Sequence, residues 1–165
     1  MTYKPAEDSY LTLEMLNEVR GDVCIDVGTG SCILAKALVE KCRLIIAVDI
    51  EEEACRTCPN NIDVICSNAT ETLRGGDVVV SNLPYLPPEE PIDLTIHDLG
   101  IIPRVLRWIS ANRPHTVILT FSSLGRADFV FEALRSTCVI LKIAKLHLFF
   151  ESIFTVVAEC QKPRR

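Results

Sequence analysis

Short runs rich in Val, Ile and Leu recur along the chain, and segments with helical spacing of apolar residues separate them. Several of these runs are apolar at consecutive positions, so both faces of the strand need cover, the condition met in a parallel sheet flanked by helices. Strands are predicted over residues 23–27, 44–48, 63–66, 77–81, 116–121, 139–148 and 153–160. Helices are predicted over 6–19, 31–40, from the acidic run Glu51-Glu52-Glu53, over 94–110 with Pro103 interrupting or restarting it, and over 126–134. Parallel neighbours need right-handed crossovers, whereas the last two strands are joined too closely for one and must form a hairpin. The expectation is an α/β, doubly wound, mostly parallel seven-stranded sheet of Rossmann-like type with an antiparallel last strand. No linker or repeat divides the 165 residues, so 1–165 is read as one domain.

Composition agrees with a packed domain. Hydrophobic residues make up 48% and charged residues 24%, which excludes disordered, collagen-like and low-complexity chains. No apolar run approaches the ~18 residues of a membrane span. The opening Met-Thr-Tyr-Lys-Pro-Ala-Glu-Asp has no apolar signal core. A cytoplasmic location without membrane contact is therefore expected. The net charge of −5 is uneven: residues 1–100 carry 7 basic and 18 acidic side chains, and residues 101–165 carry 10 and 4. An acidic chain attracts nucleic acid poorly, so a nucleic-acid partner is not expected. The basic final third either docks an acidic partner or is a scattered solvated surface.

Eight cysteines, Cys24, Cys32, Cys42, Cys55, Cys58, Cys66, Cys138 and Cys160, are expected to be reduced and mostly structural. Only Cys55 and Cys58 have metal or redox spacing. No second Cys pair or His lies near them in sequence, so no metal site is predicted.

Two strand ends carry the chemical signals. In Val23-Cys-Ile-Asp-Val-Gly-Thr-Gly-Ser31, Gly28 and Gly30 allow positive φ and close approach of backbone to a ligand. They lie at the carboxyl end of a parallel strand, where doubly wound folds bind ligands, and Asp49 ends the next strand in position to grip ribose hydroxyls. Ile33 stands where a dinucleotide fingerprint has its third glycine. A dinucleotide and S-adenosylmethionine thus compete for this turn, the second with Asp26 near its amino-acid end. In Val78-Val-Val-Ser-Asn-Leu-Pro-Tyr85, Asn82 follows directly on an apolar strand. An amide or exocyclic NH2 is a poor nucleophile because its lone pair is delocalised. An Asn oxygen and a nearby backbone carbonyl can accept both N–H groups and orient the nitrogen. Pro84 stiffens that backbone, and Tyr85 offers a face for a planar group.

Asn82-Leu-Pro-Tyr85 resembles the N-P-P-Y signature of amino-group methyltransferases dependent on S-adenosylmethionine. Together with Tyr3-Lys-Pro-Ala-Glu-Asp-Ser9 it resembles the HemK-type protein glutamine methyltransferases, in the eukaryotic and archaeal branch that acts on class I translation termination factors. The resemblance implies the class I methyltransferase form of the fold, with residues 1–20 closing the cofactor site. It implies S-adenosylmethionine as cofactor, giving S-adenosylhomocysteine, and N5-methylation of the glutamine of a Gly-Gly-Gln motif in a release factor. Tyr3, Glu7 and Ser9 would close the cofactor site, and Asp26, Gly28 and Gly30 would line the methionine end. Asp49 would hold the ribose with Ile50 beside it, and Asn68 and Ala69 would meet the adenine. Asn82, Leu83, Pro84 and Tyr85 would receive the substrate, with Asn82, Pro84 and Tyr85 catalytic and Asn82 also touching cofactor. Leu83 departs from the signature, Cys32 stands where relatives often have a glycine, and the segment 86–100 is short.

The resemblance also implies a partner, a small zinc-binding activator subunit. The predicted strand near Ile62 to Cys66 would lie at a sheet edge with neither Lys nor Pro to blunt it, and could pair with that subunit. The alternative activity is N-methylation of exocyclic amino groups of adenine or guanine in RNA or DNA. A non-catalytic binding module is the further alternative. His97, His115 and His147 are scattered and are read as surface or half-buried residues.

Overall fold

The computed structural model describes residues 6–161. Twelve elements follow in order: α1 (Glu7–Met15), β1 (Gly21–Val27), α2 (Ile33–Ala37), β2 (Cys42–Asp49), α3 (Glu52–Cys55), β3 (Asp63–Cys66), β4 (Val78–Asn82), α4 (Ile101–Asn112), β5 (Thr116–Ser122), α5 (Ala127–Thr137), β6 (Val139–Leu148) and β7 (Glu151–Glu159). The strands form one sheet in the order β3-β2-β1-β4-β5-β7-β6. Neighbours among β1 to β5 are parallel, and β7 runs antiparallel to both β5 and β6. The predicted architecture and its antiparallel last strand are borne out.

Period-2 alternation divides the core into two layers. Ile25, Val27, Val79, Val117 and Leu119 point to one face, where they meet Ile102, Val105, Leu106 and Ile109 of α4 and Val130 and Leu134 of α5. Cys24, Val78, Val80 and Ile118 point to the other, against Leu34, Ala35 and Leu38 around α2 and Leu16 after α1. Because both faces are covered, the central strands are apolar at nearly every position. The strand order reverses between β2-β1 and β1-β4, which opens a crevice above the carboxyl ends of β1, β2 and β4.

Two expectations are corrected. The helix predicted over 94–110 begins only at Ile101. Gly100 sits at φ +95°, and the Asp98 carboxylate accepts N–H bonds from Gly100 (2.9 Å) and Ile102 (3.2 Å), so the helix is started there by its own side-chain acceptor. Pro103, third residue of α4, falls where its missing N–H has no intrahelical partner to lose. Residues 94–99 are left to form a turn that reaches the crevice. The second correction concerns the cysteines, which were expected to be free thiols. The structure pairs all eight, as Cys24–Cys42, Cys32–Cys58, Cys55–Cys66 and Cys138–Cys160. The pairs join β1 to β2, the start of α2 to the loop after α3, α3 to β3, and the end of α5 to the residue after β7, proximities that sequence separation alone conceals.

Candidate active site

The turn after β1 is held from three sides. Gly28 and Thr29 donate their N–H groups to Val48 O of β2 at 2.8 and 3.0 Å, and Thr57 Oγ1 donates to Gly30 O at 2.9 Å. Gly28 and Gly30 have φ of +72° and +49°, conformations that explain the two glycines. Asp49, at the end of β2, accepts the Gly30 N–H on Oδ2 (2.9 Å) and the Glu51 N–H on Oδ1 (3.0 Å). Each carboxylate oxygen retains a second lone pair, so Asp49 can bind the turn and still accept from a ligand hydroxyl.

These groups line a cavity of about 190 Å³ above the sheet crevice. The structure brings Ser9, Gly28, Gly30, Asp49, Ile50, Asn68, Ala69, Asn82, Leu83, Pro84 and Tyr85 to its wall, residues spread over 77 positions of sequence. Ile50, 53% exposed, and Leu83, fully buried, mark its rim and floor. Two expected residues are not brought there. Glu7 is exposed and absent from the wall, and its neighbour Asp8, which sequence reasoning missed, lines the cavity instead. The rotation of α1 decides between two adjacent acids. Asp26 is 0% exposed and lies beneath the turn, where its Oδ2 accepts from Thr29 Oγ1 (2.7 Å) and the Ala35 N–H (3.0 Å). Burial pushes its carboxyl up to about 7, against the lowering effect of those two hydrogen bonds. Asp26 thus ties the turn to α2 rather than facing the cavity. Tyr3 lies outside the described residues.

At the end of β4, Asn82 is oriented by α1. Its Nδ2 donates to Ser9 Oγ at 3.4 Å, and Ser9 donates from N (2.6 Å) and Oγ (3.4 Å) to Asp8 Oδ1. With Nδ2 turned to Ser9, Asn82 Oδ1 is left buried and without a hydrogen-bond partner among the described residues. An orphaned acceptor on a cavity wall is a site for an incoming donor. Tyr85 is half-buried, and burial together with the Asp8 and Glu151 carboxylates holds its phenol protonated well above the ordinary range. Its backbone is pressed by Gly125 in the β5–α5 turn. A Cβ at position 125 would lie 2.1 Å from Tyr85 O.

The segment 86–100 closes the far wall with Leu94, Thr95, Ile96, His97 and Leu99, residues that a helical reading of this stretch had hidden. Asp8, Asp49 and Glu51 supply negative charge, and no Lys or Arg lines the cavity among the described residues. Such a wall repels pyrophosphate and suits a ligand that carries positive charge. Of the two cofactors left open by the glycine turn, the cationic one fits. Among the described residues no group of three or more His, Cys, Asp or Glu could hold a metal ion.

No family model matches the chain. A Methanocaldococcus jannaschii protein, provisionally named a protein N5-glutamine methyltransferase, is 33% identical over 97 residues. That match covers 53% of this chain and 49% of the relative, so the chain is aligned to about half the length of the relative it matches. Among solved structures, the E. cuniculi Mtq2–Trm112 complex, described as responsible for methylation of the eRF1 translation termination factor, superposes with a TM-score of 0.77. It shares 21% identity, over 97% of this chain and 99% of that one. The Bradyrhizobium japonicum N-methyltransferase NodS, solved with S-adenosylhomocysteine, gives a TM-score of 0.66 at 12% identity, over 94% and 86% of the two chains. The resemblance drawn from the sequence is supported by the M. jannaschii relative, and the solved structures show the fold to be that of class I methyltransferases.

Proposed function

We propose that this protein transfers a methyl group from S-adenosylmethionine to the side-chain amide nitrogen of a glutamine in a class I translation termination factor. The observation that carries the reading is Asn82 Oδ1, buried and unpartnered, at the head of Leu83-Pro84-Tyr85. Ser9 fixes the amide so that the acceptor, rather than the donor, is left free. A primary amide offers N–H groups to such an acceptor. Accepting one of them orients the nitrogen and raises its electron density, and the rigid Pro84 and the protonated Tyr85 ring confine the planar group. S-adenosylmethionine, when bound, supplies the methyl group on a sulfonium. Asp49 and the Gly28–Gly30 turn would hold its ribose and amino-acid ends, Asn68 and Ala69 its adenine, and the acidic wall favours its positive charge. No strong base is needed on the wall, since the nitrogen becomes acidic once alkylated and can release its proton late.

The M. jannaschii relative's name supports a glutamine N5 substrate, and the E. cuniculi complex supports a release factor as target and a second subunit. The subunit would be the zinc-binding activator expected from the sequence, seated along β3. A cytoplasmic site of action accords with such a target, and no described helix is long and apolar enough to cross a membrane. The test is mass spectrometry of a purified termination factor after incubation with the protein and isotopically labelled cofactor. Methylation confined to the glutamine of its Gly-Gly-Gln segment is expected. Labelling of RNA or DNA with none on the factor would instead establish the nucleic-acid alternative.

A further inference from the structure

His97 lines the cavity and is 8% exposed, yet the reading above gives it no part. Its backbone is locked beside the substrate tetrapeptide: Leu86 N donates to Ile96 O at 2.9 Å, and Asp98 N donates to Leu86 O at 2.8 Å. Its ring is locked by Asp93, whose N–H donates to Nδ1 at 3.0 Å, while the His97 N–H donates back to Asp93 O at 2.9 Å. A ring nitrogen that accepts an N–H carries no proton, so the neutral imidazole carries its proton on Nε2. That N–H makes no hydrogen bond to another described residue.

Three hydroxyls on the wall are already committed, whereas those of Ser31 and Tyr85 make no hydrogen bond to a described residue. Ser9 Oγ donates to Asp8, Thr29 Oγ1 to Asp26 and Thr95 Oγ1 to Asp93. An amide has two ends, and Asn82 serves only the nitrogen. Its carbonyl oxygen, once withdrawn from water, needs a donor or the desolvation is uncompensated. We propose that His97 Nε2–H donates to the carbonyl oxygen of the amide whose nitrogen Asn82 accepts, making His97 a specificity-determining residue for amides over amines. A lysine side chain offers no such oxygen and would leave the donor unpaired, the asymmetry by which buried polar groups discriminate. This inference rests on the glutamine reading.

The test uses the purified protein, with its partner subunit where that is required for solubility. Nitrogen-15 NMR of the histidine rings should show His97 in the Nε2–H form. Its Nε2 signal should move on addition of a Gly-Gly-Gln peptide and stay in place with a Gly-Gly-Leu peptide. In steady-state assays, His97→Phe should raise KM for the glutamine peptide about ten-fold, the size of one buried hydrogen bond, and leave cofactor affinity unchanged. His97→Gln, which keeps an N–H donor, should recover most of the loss. An Nε2 signal insensitive to the peptide, or a folded His97→Phe protein with unchanged KM, overturns the inference. So does a KM rise confined to Tyr85→Phe, which would give the donor role to the phenol. A wild-type protein that transfers no methyl group to glutamine defeats the underlying reading instead, whatever His97 does.

Discussion

Asn82 and Asp26 each carry one buried, unpartnered side-chain oxygen, and the surroundings give them different work. Asn82 sits on the cavity wall with its donor end tied to Ser9. Asn82→Ala should lower turnover by a factor on the order of a hundred, by analogy with removal of an oriented group at a reacting centre, while calorimetry still detects cofactor binding. Unchanged turnover would remove Asn82 from the site. Asp26 is enclosed beneath the glycine turn, and burial raises its carboxyl from the ordinary 3.8 to about 7. The folded chain therefore keeps a proton that the unfolded chain has lost between those two values. Stability falls as pH rises through that interval and levels off above it, because the folded state binds more protons there. Asp26→Asn removes the titration. The fall in urea-unfolding free energy from about pH 4 to about pH 8 should be larger in wild type than in the variant, by on the order of 2–4 kcal/mol. Equal pH dependence in the two proteins would show that this carboxyl titrates normally.

Helix α1 contributes Asp8 and Ser9 to the cavity, so its seating on the sheet decides whether the site is assembled. The seating includes a buried chain of hydroxyls: Thr12 Oγ1 donates to Asp8 O at 2.7 Å and lies 2.6 Å from Thr120 Oγ1, which lies 2.7 Å from Thr155 Oγ1. Thr120 is the register partner of Asn82, and Thr120 O accepts the Leu83 N–H at 3.0 Å. One threonine of β5 thus links α1, β7 and Asn82-Leu-Pro-Tyr85. Thr120→Val preserves shape and leaves a buried hydroxyl of Thr12 or Thr155 short of a partner, a change expected to cost about 1–3 kcal/mol in denaturant unfolding. Turnover at saturating cofactor should fall as well, since Ser9 and Asn82 lose a common support. A variant of wild-type stability and activity would mean that α1 is seated by its apolar contacts alone.

The sheet ends in two unlike edges. β6, at one side, carries Lys142 and Lys145, which blunt it against pairing. β3, at the other, is four residues of Asp-Val-Ile-Cys with no Lys or Pro, tied to α3 by the Cys55–Cys66 bond. An edge of that kind accepts a strand from another chain. Co-expression with the small zinc-binding subunit should give a soluble heterodimer in light scattering, and Asp63→Lys at the exposed start of β3 should weaken the pairing while leaving the sheet intact. A monomer that is fully active alone would place the completed enzyme within this one chain.

The order of elements was determined by the sequence itself, since the spacing of apolar residues reports which faces are covered, and it placed β3 and β6 with their observed ends. The glycine turn, Asp49 and Asn82-Leu-Pro-Tyr85 were legible for a similar reason, because strand ends in a parallel sheet converge on one crevice. What remained hidden depends on rotation and contact. The choice of Asp8 over Glu7 depends on how α1 is turned, and the withdrawal of Asp26 on which way its side chain leaves β1. The turn that carries His97 exists because Asp98 and Gly100 begin α4 late, and the pairing of eight cysteines follows from the approach of separate elements. Local pattern determines where a chain is apolar, whereas these outcomes depend on which distant atoms its polar groups finally meet.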